Sequence, residues 1–168
     1  SRNSTLGTEA MFNNTTGSGN VAIGFRTLYN NTDKSGLVAI GDSALYNNGL
    51  GATEIFNATK NTAVGSKALF ANTTGEYNTA NGADALVSNI EGDQNVAVGF
   101  GAGFNAKGNG NVFIGSEAGK GITGGNQNTA VGRNAGLTNN GSASTYLGYN
   151  AYASVAGLSN ATAIGANA

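Results

Sequence analysis

The stretch Asn61-Thr62-Ala63-Val64-Gly65 decides the fold, because the rest of the chain restates it. It returns as Asn128-Thr129-Ala130-Val131-Gly132, as Asn95-Val96-Ala97-Val98-Gly99 and as Asn20-Val21-Ala22-Ile23-Gly24. The closing glycine marks each copy: Gly7, Gly24, Gly41, Gly65, Gly82, Gly99, Gly115, Gly132, Gly148 and Gly165. Successive markers stand 16 or 17 residues apart, except for a step of 24 between Gly41 and Gly65. A fixed period of this kind is the signature of a solenoid, in which each coil stacks on the next. Positions within a coil are numbered here from its marker glycine.

The copies agree chemically around the marker. Position −4 is asparagine in Asn3, Asn20, Asn61, Asn78, Asn95, Asn111 and Asn128. Position −3 is valine or threonine and −1 is aliphatic, with Ser4 and Asn81 the respective exceptions. Alternation of this sort, with β-branched residues on one face, predicts a strand. The rest of the coil has room for a second strand, expected at Ala44-Leu45-Tyr46 and Ala68-Leu69-Phe70, with asparagine-rich turns at 13–17 and 72–75. Coils stacked about 4.8 Å apart make a rod roughly 48 Å long. Asparagines repeated at −4 and +7 then line up as side-chain amide ladders. The expectation is a single all-β domain over residues 1–168, a parallel β-roll of about ten 17-residue coils.

Composition fits that architecture and removes several functions. The chain has 28 glycines and 26 asparagines, residues that tolerate left-handed backbone, and it has no proline, cysteine or histidine. Without His or Cys there is no Ser-His-Asp or Cys-His set and no soft metal site. Eight Lys and Arg against nine Asp and Glu, scattered along the chain, argue against a nucleic-acid partner. No apolar run nears the roughly 18 residues of a membrane span. Glu91-Gly92-Asp93 is the one tight carboxylate cluster, and a solvated turn is its simpler reading. The glycine-rich runs 99–103 and 119–125 lack GxxxxGK[ST] and its strand-to-helix context. We expect no enzyme activity, no cofactor and no metal.

The core is thin. Each coil offers three or four sizeable apolar side chains, which at about 1.5–3 kcal/mol each barely offset the ordering of its backbone. Position −2 is alanine in Ala22, Ala39, Ala63, Ala80, Ala97, Ala130 and Ala163. Either a second chain packs closely on this small-residue face, or alanine fills the interior of a lone coil. The thin core favours the first reading, with these alanines as a subunit interface between parallel chains. Position +4 changes from Met11, Leu28, Leu45, Leu69 and Leu86 to Gly103, Gly119 and Gly136, as if the fold narrowed or subunits approached more closely.

The motif Asn-(Val/Thr)-Ala-(Ile/Val)-Gly followed by x-x-Ala resembles the head repeat of trimeric autotransporter adhesins, the YadA-like β-roll. The form Asn111-Val112-Phe113-Ile114-Gly115-Ser116-Glu117-Ala118-Gly119 is similar to repeats of bacterial and phage tail fibres. The likeness spans the chain from Asn3 to Ala168, although YadA-like coils are shorter. It implies a left-handed roll, three chains around one axis, and an extracellular place on a bacterial surface or a tail-like particle. The chain begins in mid-pattern, as a fragment of a longer fibrous protein would. Its implied work is adhesion through an unknown surface receptor, glycan or matrix protein, with no membrane contact from this part. An ice-binding solenoid and a polysaccharide-degrading β-solenoid enzyme are the alternatives.

Two features stand out as places where binding could reside. The seven-residue excess lies near Leu50, Gly51, Ala52, Thr53, Glu54, Ile55 and Phe56; a lengthened turn on a rigid solenoid is either a binding loop or a tolerated insertion. Phe12, Tyr29, Tyr46, Phe70 and Phe104 recur at +5, where they either pack or stack sugars.

Overall fold

The computed structural model describes residues 2–168 as a β-solenoid. One ten-stranded sheet contains β1 (Ser4–Leu6), β2 (Val21–Ile23), β3 (Val38–Ile40), β4 (Thr62–Val64), β5 (Thr79–Asn81), β6 (Val96–Val98), β7 (Val112–Ile114), β8 (Thr129–Val131), β9 (Thr145–Leu147) and β10 (Thr162–Ile164). The strands lie side by side in chain order, all parallel. Register is the repeat itself: Ala22 faces Ala39, Ala39 faces Ala63, and Ala63 faces Ala80. Each strand is the −3, −2, −1 triplet, as the alternation predicts, and there are no helices among the described residues.

The marker glycine is required twice over. Its φ lies between 126° and 144° in every coil, outside the range of an L side chain. The glycines also stack on one another so closely that a Cβ on Gly65 would sit 2.5 Å from the carbonyl carbon of Gly82.

The second strand does not form. Ala44-Leu45-Tyr46 and Ala68-Leu69-Phe70 are turn segments, because left-handed residues alternate through them: Ser43 and Leu45 at φ 56° and 52°, Lys67 and Leu69 at 56° and 51°. An extended run cannot contain such residues. The segment turns a corner instead, and it still bonds coil to coil: the Leu28 N–H donates to Ala44 O (3.1 Å), and Leu45 to Ala68 O (3.0 Å). A left-handed L-residue costs about 1–2 kcal/mol. Burying a leucine there returns about 1.5–3 kcal/mol, and Leu28, Leu45, Leu69 and Leu86 are all fully buried.

The alanines at −2 were expected on a subunit interface and belong elsewhere. Ala22, Ala39, Ala63, Ala80, Ala97 and Ala130 are buried inside their own coils, and Ala163 in the last coil is half-buried. The pleat sends −2 inward, where the leucine at +4 fills the lumen and leaves space only for a methyl group.

The glycines at +4 reflect an exchange of volume within that lumen. In β7 and β9 the −2 residue is Phe113 or Tyr146, both fully buried. A Cβ on Gly103 would be 2.6 Å from Phe113 Cδ2, one on Gly119 would overlap the same ring, and one on Gly136 would be 3.0 Å from Tyr146 Cδ2. One aromatic from the strand side replaces the leucines from the corner side. The lumen there is filled by the chain's own side chains. The Tyr146 hydroxyl accepts a hydrogen bond from Asn139 Nδ2, so its polar end is satisfied.

Candidate functional site

Two asparagine ladders run along the roll, the −4 row interrupted at Leu37 and ending at Asn128. At −4, the Asn95 N–H donates to Asn78 Oδ1 (2.9 Å), and Asn111 and Asn128 repeat the bond to Asn95 and Asn111. Their Nδ2 atoms close the turn beneath, as Asn61 does on Gly75 O (2.8 Å), Asn78 on Gly92 O (2.7 Å) and Asn20 on Lys34 O (2.9 Å). At +7, Asn31, Asn48, Asn72 and Asn89 each donate to the asparagine of the preceding coil. That ladder stops where Ala106 and Ile122 take its place, leaving Asn89 Oδ1 without a partner. These amides are buried scaffold, so ligand contact must come from other rows.

The stacked rings are Phe12, Tyr29, Tyr46 and Phe70, with centroids 5.3, 5.1 and 5.1 Å apart and planes within 13°. They stand on the outside, half-buried apart from the exposed Phe12. Each interior ring has both faces covered by its neighbours, so only edges face solvent. A pyranose stacks on a ring face, and the ladder therefore offers no sugar platform along its length. Phe104 lies outside the stack because Val87 interrupts the row. Arg26 lies 4.8 Å from the Phe25 ring and 5.6 Å from Tyr29. Its guanidinium is held above its ordinary pKa by the bond to Glu9 (2.5 Å). Lys60 Nζ donates to the Tyr77 hydroxyl (2.9 Å), which raises the lysine pKa in the same direction.

The inserted loop replaces the short turn between Asn48 and Ala58. Leu50, Gly51, Thr53, Glu54, Ile55 and Phe56 are exposed, with Ile55 and Phe56 each at least 70% accessible, and Ala52 is half-buried. Its base rests on Lys34, a residue without any motif to mark it. The Lys34 side chain is only 2% accessible, lies under Gly49, and donates from Nζ to Glu54 O (2.9 Å) with Asp33 3.5 Å away. A buried ammonium needs such partners. Lys34→Met keeps the aliphatic stem and removes the donor. Hydrogen exchange over residues 50–57 is expected to accelerate at least about tenfold, as loss of one charge-assisted bond of about 1.5–3 kcal/mol implies, while strands β6–β8 keep their protection.

Sequence reasoning missed what lies on the outer face of the sheet. Position −1 carries Leu6, Ile23, Ile40, Val64, Val98, Ile114, Val131, Leu147 and Ile164, broken only by Asn81. Ile23, Ile114 and Leu147 are 38%, 41% and 46% accessible. The partly covered −3 row of Val21, Val38, Thr62, Val96, Val112 and Thr129 runs beside it. The signal was present in the same alternation that marked the strand, since −3 and −1 must share whichever face −2 does not.

Among the described residues no three Asp or Glu side chains stand together as a metal site. Asp93 of the Glu91-Gly92-Asp93 cluster accepts from the Glu76 N–H (2.9 Å). Among the described residues no helix is long and apolar enough to cross a membrane. No family model, curated protein or solved structure matches the chain.

Proposed function

We propose that this chain is a non-catalytic head or shaft module of a parallel, homotrimeric extracellular fibre, wound as a left-handed β-roll. The observation that carries the reading is the aliphatic row at −1, interrupted at Asn81, beside a −3 row of valine and threonine. A long, largely apolar row on the outside of a chain marks an association surface. Identical parallel chains bring identical rows together, coil against coil, and extend the core that one coil keeps thin. The alanine face is spent inside, so association proceeds through the opposite face of the same sheet. The resemblance of the repeat to adhesin heads and tail fibres supports three chains, and a place on a bacterial surface or a tail-like particle. Such a module holds a receptor-binding surface away from its anchor, and its partner is a surface receptor, glycan or matrix protein.

Light scattering after size exclusion tests the assembly. The parental chain is expected at three times its 16.6 kDa mass. Ile114→Glu, which places three carboxylates at the shared face, is expected to shift it to the monomer, whereas Thr123→Glu at an exposed turn is expected to leave it unchanged. A parental monomer at micromolar concentration overturns the reading.

A further inference from the structure

A groove lies on the corner that precedes β6–β8. Gln94, Asn109, Gly110, Asn126 and Gln127 line it, around a volume of about 350 Å³. Every lining side chain is a carboxamide, and no charged group lines the groove.

Gln94, Gly110 and Gln127 occupy the same position in three successive coils, −5, at φ 57°, 67° and 57°. Their backbone is fixed by bonds to the preceding coil: Gln94 N–H to Glu76 O (3.0 Å), Gly110 to Asp93 O (2.9 Å) and Gln127 to Asn109 O (2.9 Å). Coils repeat about every 4.8 Å, so the missing side chain at Gly110 leaves a slot one coil wide between two glutamines. The amides below are oriented. Asn109 Oδ1 accepts from the Asp93 N–H (2.8 Å) and Asn126 Oδ1 from the Asn109 N–H (2.7 Å), which leaves each Nδ2 to donate outward. The Gln94 and Gln127 amides have no side-chain partner among the described residues, so both their donor and acceptor ends are available.

We infer that this groove binds a neutral glycan, one uncharged pyranose seated in the slot at Gly110 and its neighbours running along the coils. A carboxamide donates and accepts side by side, which matches the paired hydroxyls of a sugar ring. Anionic ligands find no cation here, and no aliphatic or aromatic residue lines the groove. The backbone of the slot is preformed, and binding has to order the exposed Gln94 and Gln127 side chains. It is built within one chain and stands or falls separately from the trimer.

The test is an amide-resolved NMR titration of the assembled parental protein with neutral oligosaccharides of glucose, galactose, mannose and N-acetylglucosamine. Uronate oligosaccharides and glycerol serve as controls. At least one neutral oligosaccharide is expected to give saturable shifts at the side-chain amides of Gln94, Asn109, Asn126 and Gln127, with glycerol and uronates inert. Gly110→Gln refills the slot, and the fold accepts it, because Gln94 and Gln127 already occupy that position with the same backbone. A Cβ there would meet only Gln127 Cγ, at an ordinary 3.7 Å. The variant is expected to keep its oligomeric mass and bind at least tenfold more weakly. No response to any neutral oligosaccharide, equal response to glycerol, or undiminished binding by Gly110→Gln overturns the inference.

Discussion

Gly119→Leu is expected to destabilise the roll by more than about 3 kcal/mol, the upper range of core overpacking. Combining it with Phe113→Ala and Gly103→Leu is expected to restore most of that loss. The conflict is between side chains. Leu28, Leu45, Leu69 and Leu86 already occupy this position at φ 50–52°, so leucine tolerates the backbone. What it cannot share is the lumen occupied by Phe113, whose ring atoms lie where the new side chain would begin. Phe113→Ala alone removes a fully buried ring and is expected to cost about 3–5 kcal/mol. The triple variant rebuilds the alanine-and-leucine lumen of the second to fifth coils. Urea unfolding of all variants gives the coupling, expected to be favourable by at least about 3 kcal/mol. Additive losses would show that the two halves of the lumen do not compete for the same space.

That exchange also marks the limit of what the sequence makes legible. Alternation at Val96-Ala97-Val98 identifies a strand and divides its faces, and the strands form where the pattern places them. It does not say which face is inside. Alanine suits both a narrow lumen and a close subunit contact, and the choice depends on the width of the coil. That width is set by residues such as Leu45 and Leu69, whose left-handed backbone has no signature in a leucine side chain. The same residues conceal the corner, since Ala44-Leu45-Tyr46 reads as a strand by composition. The asparagine ladders, by contrast, are readable from spacing, because a buried amide repeated once per coil has few partners other than its own copies. The groove at Gly110 escapes detection for another reason. Its character comes from the absence of one side chain between two glutamines on adjacent coils, a relation across three repeats rather than a motif within one.

Asn78→Leu separates the contribution of the ladder from that of side-chain volume. Asn78 is fully buried; its Nδ2 donates to Gly92 O (2.7 Å) and its Oδ1 accepts from Asn95 N–H (2.9 Å) and Asn95 Nδ2 (3.1 Å). Leucine fills a similar volume and already stands at −4 in the third coil, where Leu37 is fully buried. Shape alone therefore predicts a small effect, and leucine's apolar surface would even favour burial. The amide predicts the opposite. Its loss strands the Asn95 N–H in the interior, at about 1–3 kcal/mol, while Gly92 O keeps its bond from Asn89 Nδ2 (2.9 Å), so the net destabilisation is expected at about 2 kcal/mol. The Leu37 N–H bonds to Asn20 Oδ1 (2.9 Å) as the Asn78 N–H bonds to Asn61 Oδ1 (2.9 Å), so in either coil a leucine leaves the ladder's deficit on the next residue, Asn61 or Asn95. Asn61 Nδ2 bonds instead to Asn48 Oδ1 (3.3 Å) in the +7 ladder. Asn95 has no such bond to the +7 row: its Nδ2 donates to Gly108 O (2.8 Å) and to Asn78 Oδ1 (3.1 Å), and the second of these goes with the amide. Thermal and urea unfolding of Asn78→Leu beside Leu37→Asn decides the matter. A loss for the first and a gain for the second are expected, and equal stability of all three proteins would show that the ladder follows the fold without stabilising it.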